Sequence, residues 1–423
     1  VDLLRPVIRP YPWGTRTAIA NLQGRPLPAP APEAELWMGA HPSAPSSLTR
    51  VPIAPSTSPV TPVTLDALIA AEPERELGAE VAERFGGRLP FLLKVLSAEK
   101  NLSIQLHPSR AQAEAGCVAE NARGLPPGDP ARNYVDDWPK PELLYALTPF
   151  EVAAGLRSPN DAAALLRALV IPDLEPLAAT LAAARGEDAL AAALACVLEW
   201  PESDRAALVT AVVAACERLA AAGGRYADAC AAAVRVATDH PNDLGVLALL
   251  LMRHEVLQPG QAVFMPAGGL HAYLRGTGIE LLANSDNVVR AGLTTKHIDV
   301  PELLKLLNPA VSVPLLTPTP ITPGITTFNT PAPEFRLYLV ELPAPAQPPP
   351  AAPAVPPAST LALPGDGPRI VLCLDGACEL RSASGDALKL NRGDSCFIPA
   401  SDGPVHATGH VRLALATPGI PSV

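Results

Sequence analysis

Residues 257–274 read LQPGQAVFMPAGGLHAYL, and this stretch decides the fold. The turn residues Gln258, Pro259 and Gly260 separate two short apolar runs, and Pro266, Ala267, Gly268 and Gly269 make a second turn before a run that opens at His271. Pro and Gly set the turns, and the runs between them are too short for helices, so the stretch reads as three strands joined by tight connections. Residues 385–401, GDALKLNRGDSCFIPAS, repeat the same order of strand, Gly turn, strand and Pro. Two such passages suggest a repeated small β unit.

Working outward, LPFLLKVL at 89–96 reads as a buried strand, and residues 101–107 continue as a second one that Pro108 ends. The text changes after Pro159. Asn160 is a candidate N-cap, residues 161–170 repeat apolar positions at helical spacing, and 174–236 is Ala-rich with breaks at Pro201 and Gly223-Gly224. The expected fold class is mainly β with an α-helical insert, as two jelly-roll barrels of the kind called cupins plus a helical domain. The expected division is 1–155 with 243–310 as the first barrel, 156–242 as the insert, and 311–423 as the C-terminal barrel. A Pro-rich stretch at 343–357 is expected to be a loose loop.

The composition is globular, with 48% hydrophobic and 17% charged residues in a chain of 423. A net charge of −10 argues against a nucleic-acid groove or an anionic membrane as the main partner, although a local basic cluster can still receive a small anion. The seven cysteines are scattered and form no CxxC pair, which suits free thiols in a reducing compartment. No signal-peptide pattern opens the sequence and no apolar run approaches the roughly 20 residues of a membrane span, so a cytoplasmic location is expected. A monomer is also expected.

Four places carry metal-competent groups. Gln105 and His107 sit at i and i+2 of a strand and leave the same face, Glu142 precedes the apolar LLYAL, and His271 opens the strand after the glycine turn. A set of two imidazoles, a carboxylate and an amide oxygen, without sulfur, suits zinc; manganese, cobalt or iron also fit these ligands. Each group alone has an ordinary structural explanation, so the residues lead only to a candidate metal-binding cupin.

Longer blocks carry a resemblance. SIQLHP at 103–108, KPELLYAL at 140–147, FMPAGGLHAYLRGTGIEL at 264–281 and ANSDNVVRAGLTTK at 283–296 resemble the type I mannose-6-phosphate isomerase family, as do YPWG at 11–14 and ELWMGAHP at 35–42. The resemblance implies one zinc ion on Gln105, His107, Glu142 and His271, and interconversion of D-mannose 6-phosphate and D-fructose 6-phosphate. It also implies Arg290 as the active-site arginine, with Lys94, Ser103, Lys140, Tyr273, Glu280, Asp286 and Lys296 around the substrate. An aldose–ketose isomerase moves a proton between adjacent carbons through an enediol, and must hold negative charge on oxygen meanwhile. Glu280 and Lys140 are the candidate proton carriers, with Asp286 as relay, and Lys94, Ser103, Arg290 and Lys296 are candidates for the phosphate.

The pattern also departs from the family. Pro139 stands where many members carry a His, Pro12 replaces an acidic residue, and Arg110 replaces a common Lys. His41 and His297 are expected to play supporting roles, and the C-terminal barrel to bind no metal. An iron-dependent cupin oxygenase and a non-catalytic sugar-binding protein are the alternative readings. A nucleotidyltransferase is opposed by the lack of a Gly-rich phosphate loop with its Lys.

Overall fold

The computed structural model describes residues 1–48, 62–343 and 360–420; apart from Pro343, the expected Pro-rich loop at 343–357 lies outside the described residues. The strand text around 257–274 forms strands Met252–Leu257, Ala262–Met265 and His271–Ala283. The last of these is the organising element of the site. It is 13 residues long, and a bulge between Tyr273 and Arg275 lets its two halves join different layers.

The first half pairs with Phe150–Leu156 on one side and Ile104–Leu106 on the other, extended by Met252–Leu257 and Val289–Gly292. The second half pairs with Glu142–Ala146 and Phe91–Ala98, extended outward by Ala262–Met265 and by Glu35–Met38 with Val7–Arg9. The two layers share only the long strand, so among the described residues this is a folded-over sheet and not the closed barrel expected. Its edges are short ladders, such as Leu315–Leu316 just after Pro314, and proline cannot donate to a closing ladder.

Side chains alternate across both layers as the two-residue strand period requires. On the first layer Ile104, Leu106, Ala272, Leu274, Val289 and Ala291 face one way and join a core with the helical segment. On the second, Leu93, Val95, Leu143, Tyr145, Ile279 and Leu281 join a core with Phe335 and with Ile370, Leu372 and Phe397 of the C-terminal sheet. Between the layers, one end is filled by Leu96, Leu144, Phe150, Val152, Met265 and Tyr273. The polar site occupies the rest of that interior.

The helical segment runs from Pro159–Ala168 to Ala227–Asp239. Its N-cap is Ser158, whose Oγ accepts from Asp161 N, with Pro159 at the first helical position; the cap expected at Asn160 lies inside the helix instead. The most apolar short run of the sequence, 246–252, is divided between the buried helix Gly245–Leu250 and the start of strand Met252–Leu257. The strand expected at 101–107 narrows to Ile104–Leu106, with His107 just beyond its end.

The C-terminal sheet is built on Arg369–Ser382 paired with Val405–Thr417. The first residues of the chain belong to it as well: Asp2–Arg5 pairs with Ser395–Ile398 and with Ser47–Leu48. Composition places residues 1–155 with the first barrel, but a four-residue strand carries no sign of which sheet edge it will extend. The seven cysteines are free, and no helix among the described residues is long and apolar enough to cross a membrane.

Candidate metal centre and the cleft around it

The long strand brings distant residues together by register. His271 lies opposite Gln105, Gln105 lies opposite Arg290, Lys94 lies opposite Glu280, and Glu142 lies opposite Leu282. His107, Glu142 and His271 are each no more than 1% exposed, and their ligand atoms lie within 4.8 Å of one another. Glu142 Oε1 is 3.1 Å from His107 Nε2, and its Oε2 is 3.4 Å from His271 Nε2.

Backbone carbonyls decide how the imidazoles present themselves. His107 Nδ1 donates to Asn287 O at 2.7 Å, and His271 Nδ1 donates to Gly269 O at 3.0 Å. A carbonyl oxygen only accepts, so both Nδ1 atoms carry protons, and in the neutral ring Nε2 then keeps its lone pair. Those two Nε2 atoms are buried and make no hydrogen bond. Burial, partly opposed by Glu142, lowers His107 to about 4, which keeps it neutral. Burial would raise Glu142, but the adjoining His107 ring and the Lys140 ammonium hold it well below the usual carboxylate range. Two imidazoles and one carboxylate, converging with ring nitrogens that have no hydrogen-bond partner, fit a zinc-type ion. Gln105 Oε1 accepts from Ser103 Oγ at 3.4 Å, beside His271 in register.

Around this centre the expected residues divide into groups. Lys140 Nζ is 3.4 Å from Glu142 Oε1, and Tyr273 OH donates to Glu142 Oε2 at 3.2 Å. Burial first, then Glu142 and Glu280, raise Tyr273 well above its usual value, so the phenol stays protonated as a donor. Lys94 Nζ is 3.0 Å from Glu280 Oε2 and 3.6 Å from Glu35 Oε1, and it lies over the Trp37 ring. Burial alone would lower Lys94, but Glu280, Glu35 and Glu142 together raise it. Burial raises Glu280 to about 7 against the opposing charge of Lys94.

A third group lies nearer the surface. Asp286 is exposed and sits 3.4 Å from His41 Nε2; burial would raise its carboxyl, but His41 holds it at about 2. Arg290 is half-buried and, among the described residues, has no ion-pair or hydrogen-bond partner. Burial lowers it and also lowers exposed Lys296, which feels Arg290 next. An unpaired guanidinium with a lysine beside it is suited to an anion.

Sequence reasoning missed Glu35 and Asn287 in this setting. Glu35 lay inside the ELWMGAHP block and Asn287 inside ANSDNVVRAGLTTK, but neither residue type announces a contact with Lys94 or His107.

Residues 2–159 match the family described as phosphomannose isomerase type I, catalytic domain, and residues 366–418 match mannose-6-phosphate isomerase, cupin domain. The chain is 35% identical to the mannose-6-phosphate isomerase of Salmonella typhimurium, over 96% of this chain and 97% of that one. It is 32% identical to the Bos taurus enzyme of the same name, over 94% and 92%. Among solved structures, a mutant of the Salmonella typhimurium phosphomannose isomerase superposes with a TM-score of 0.87 at 32% identity, over 99% of each chain. A mannose 6-phosphate isomerase bound with zinc and yttrium gives 0.84 at 33% identity, again over 99% of each.

Proposed function

Because the chain belongs to the type I phosphomannose isomerase family of enzymes, we propose that it interconverts D-mannose 6-phosphate and D-fructose 6-phosphate through an enediol, using one zinc ion per chain. The observation that carries this reading is the pair of orphaned, inward-facing Nε2 atoms on His107 and His271, bridged by Glu142 and flanked by Lys94–Glu280 and unpaired Arg290. Gln105 is the fourth ligand in this reading. The match of residues 366–418 to a cupin domain supports reading the C-terminal sheet as a cupin fold.

When bound by these residues, zinc supplies positive charge against the negative charge that develops on the sugar oxygens. Glu280 is the base: its ionised carboxylate takes the proton from C2 of the open-chain aldose and returns it to C1. The hydroxyl proton moves from O2 to O1, so the product ketose has the same atoms as the aldose. A carboxylate raised to about 7 binds and releases a proton near neutrality, as this shuttle requires. Lys94 keeps Glu280 oriented at 3.0 Å, and Lys140 donates at the Glu142 side of the cleft. Arg290, Lys296 and Ser103 receive the phosphate, and Asp286, fixed by His41, binds or relays at the sugar hydroxyls.

His271→Ala tests the reading. The variant is expected to retain little zinc by elemental analysis and to lose isomerase activity by at least about 100-fold. Full activity in a zinc-free His271→Ala sample would remove the metal from the mechanism.

A further inference from the structure

The carbonyl that orients His107 is itself held by side chains that touch neither the cleft's carboxylates nor its lysines. Asn287 is fully buried, and its side chain is bound to residues 136–138. Nδ2 donates to Asp136 O and to Trp138 O, each at 2.8 Å, and to Asp136 Oδ1 at 3.2 Å. Asn287 Oδ1 accepts from Asp136 N at 3.1 Å. The Asp136 carboxylate completes the lock: Oδ1 accepts from Ser285 Oγ at 2.8 Å and Trp138 N at 2.9 Å, and Oδ2 accepts from Asp286 N at 2.9 Å. Every one of those partners is a donor, so an acceptor-only carboxylate is the group that satisfies them all.

We propose that Asp136 and Asn287 are positioning residues for the metal centre, locking the 284–288 loop to the 135–138 loop so that the Asn287 carbonyl fixes His107 with Nε2 toward the metal. The same lock controls two other parts of the site. Trp138 leads directly into Lys140 and the start of the Glu142–Ala146 strand, and Asp286 is held through its own backbone N–H. A carbonyl free to swing leaves the His107 ring free to turn, and the entropy of ordering it then falls on metal binding. His271 is the internal control, because its Nδ1 bonds to Gly269 O in a separate turn.

This inference rests on reading the centre as a zinc site, and the test separates the two. In the zinc-loaded full chain, zinc affinity is measured by competition with a chromophoric chelator. Exchange of the His107 and His271 imidazole N–H protons with solvent is followed by NMR on histidine-labelled protein. Asn287→Ala is expected to weaken zinc binding by about tenfold to a hundredfold. It is also expected to speed exchange at His107 while leaving His271 as in the wild type. Asp136→Asn, which keeps shape but sets an amide donor against donors, is expected to do the same to a smaller degree and serves if Asn287→Ala does not fold. Unchanged affinity with unchanged exchange overturns the proposal, as does an equal change at both histidines, which means general loosening. A wild-type chain that binds no zinc overturns the metal reading itself, and the proposal with it.

Discussion

Glu280 is the residue where burial and charge oppose each other most directly. It is 3% exposed, which favours the protonated acid, yet Lys94 lies 3.0 Å away and favours the carboxylate. The balance near 7 fixes the sign of a pH effect. Only the ionised form can remove the substrate proton, so kcat/KM should rise as pH increases through about 7 and level off above it. Glu280→Gln should abolish that rise and lower kcat by about 10²–10⁴-fold while retaining zinc. A variant with wild-type turnover would show that another group, with Lys140 first in line, carries the proton.

At the scale of elements, the turn before His271 couples His271 to His107, the two imidazoles of the proposed metal site. Gly268 N donates to His107 O at 2.9 Å, and Gly268 has φ +75°. A Cβ there would stand 2.8 Å from Leu306 O. Gly268→Ala therefore combines left-handed backbone strain with a backbone clash, and it should destabilise the chain by more than about 1 kcal/mol in thermal or denaturant unfolding. Unchanged stability would mean that the turn yields without moving its neighbours.

This turn was also where the sequence was most legible. Pro and Gly mark turns by local sterics, whereas the strand period reaches Gln105 but not His107, which lies just past the end of Ile104–Leu106. Other features depend on the folded whole. Asp136 and Asn287 lie 151 positions apart and meet only because two loops do, which no local pattern encodes. Glu35 beside Lys94 and the strand Asp2–Arg5 on the C-terminal sheet are of the same kind. The cap at Ser158 instead of Asn160 is a near neighbour error: both types cap well, and Pro159 at the first turn favours the earlier one.

Over the whole molecule, the site lies inside a stack. The helical segment covers the outer face of the layer bearing Gln105, His271 and Arg290, and the C-terminal sheet covers the outer face of the layer bearing Lys94, Glu142 and Glu280. Glu151 on the first layer, bound by His254 at 2.7 Å and by Arg235 from the helical segment, ties the insert to the sheet. Apolar burial on both sides makes the layers rigid, and rigid layers hold the ligands at fixed spacing. The molecule carries a net charge of −10, yet Lys94, Lys140, Arg290 and Lys296 gather in and around one cleft. Glu35, Glu142 and Glu280 pair the two lysines, which leaves Arg290, with Lys296 beside it, as the positive group open to an anionic substrate such as a sugar phosphate.

The central claim is that this cleft isomerises mannose 6-phosphate with a metal held by His107, Glu142 and His271. The most direct measurement is a coupled assay of mannose 6-phosphate conversion on the full chain as purified, after chelation, and after zinc is restored. The account predicts turnover in the first sample, its loss on chelation, and its return with zinc. Turnover that survives complete removal of metal, or none in any zinc-loaded sample, would contradict it.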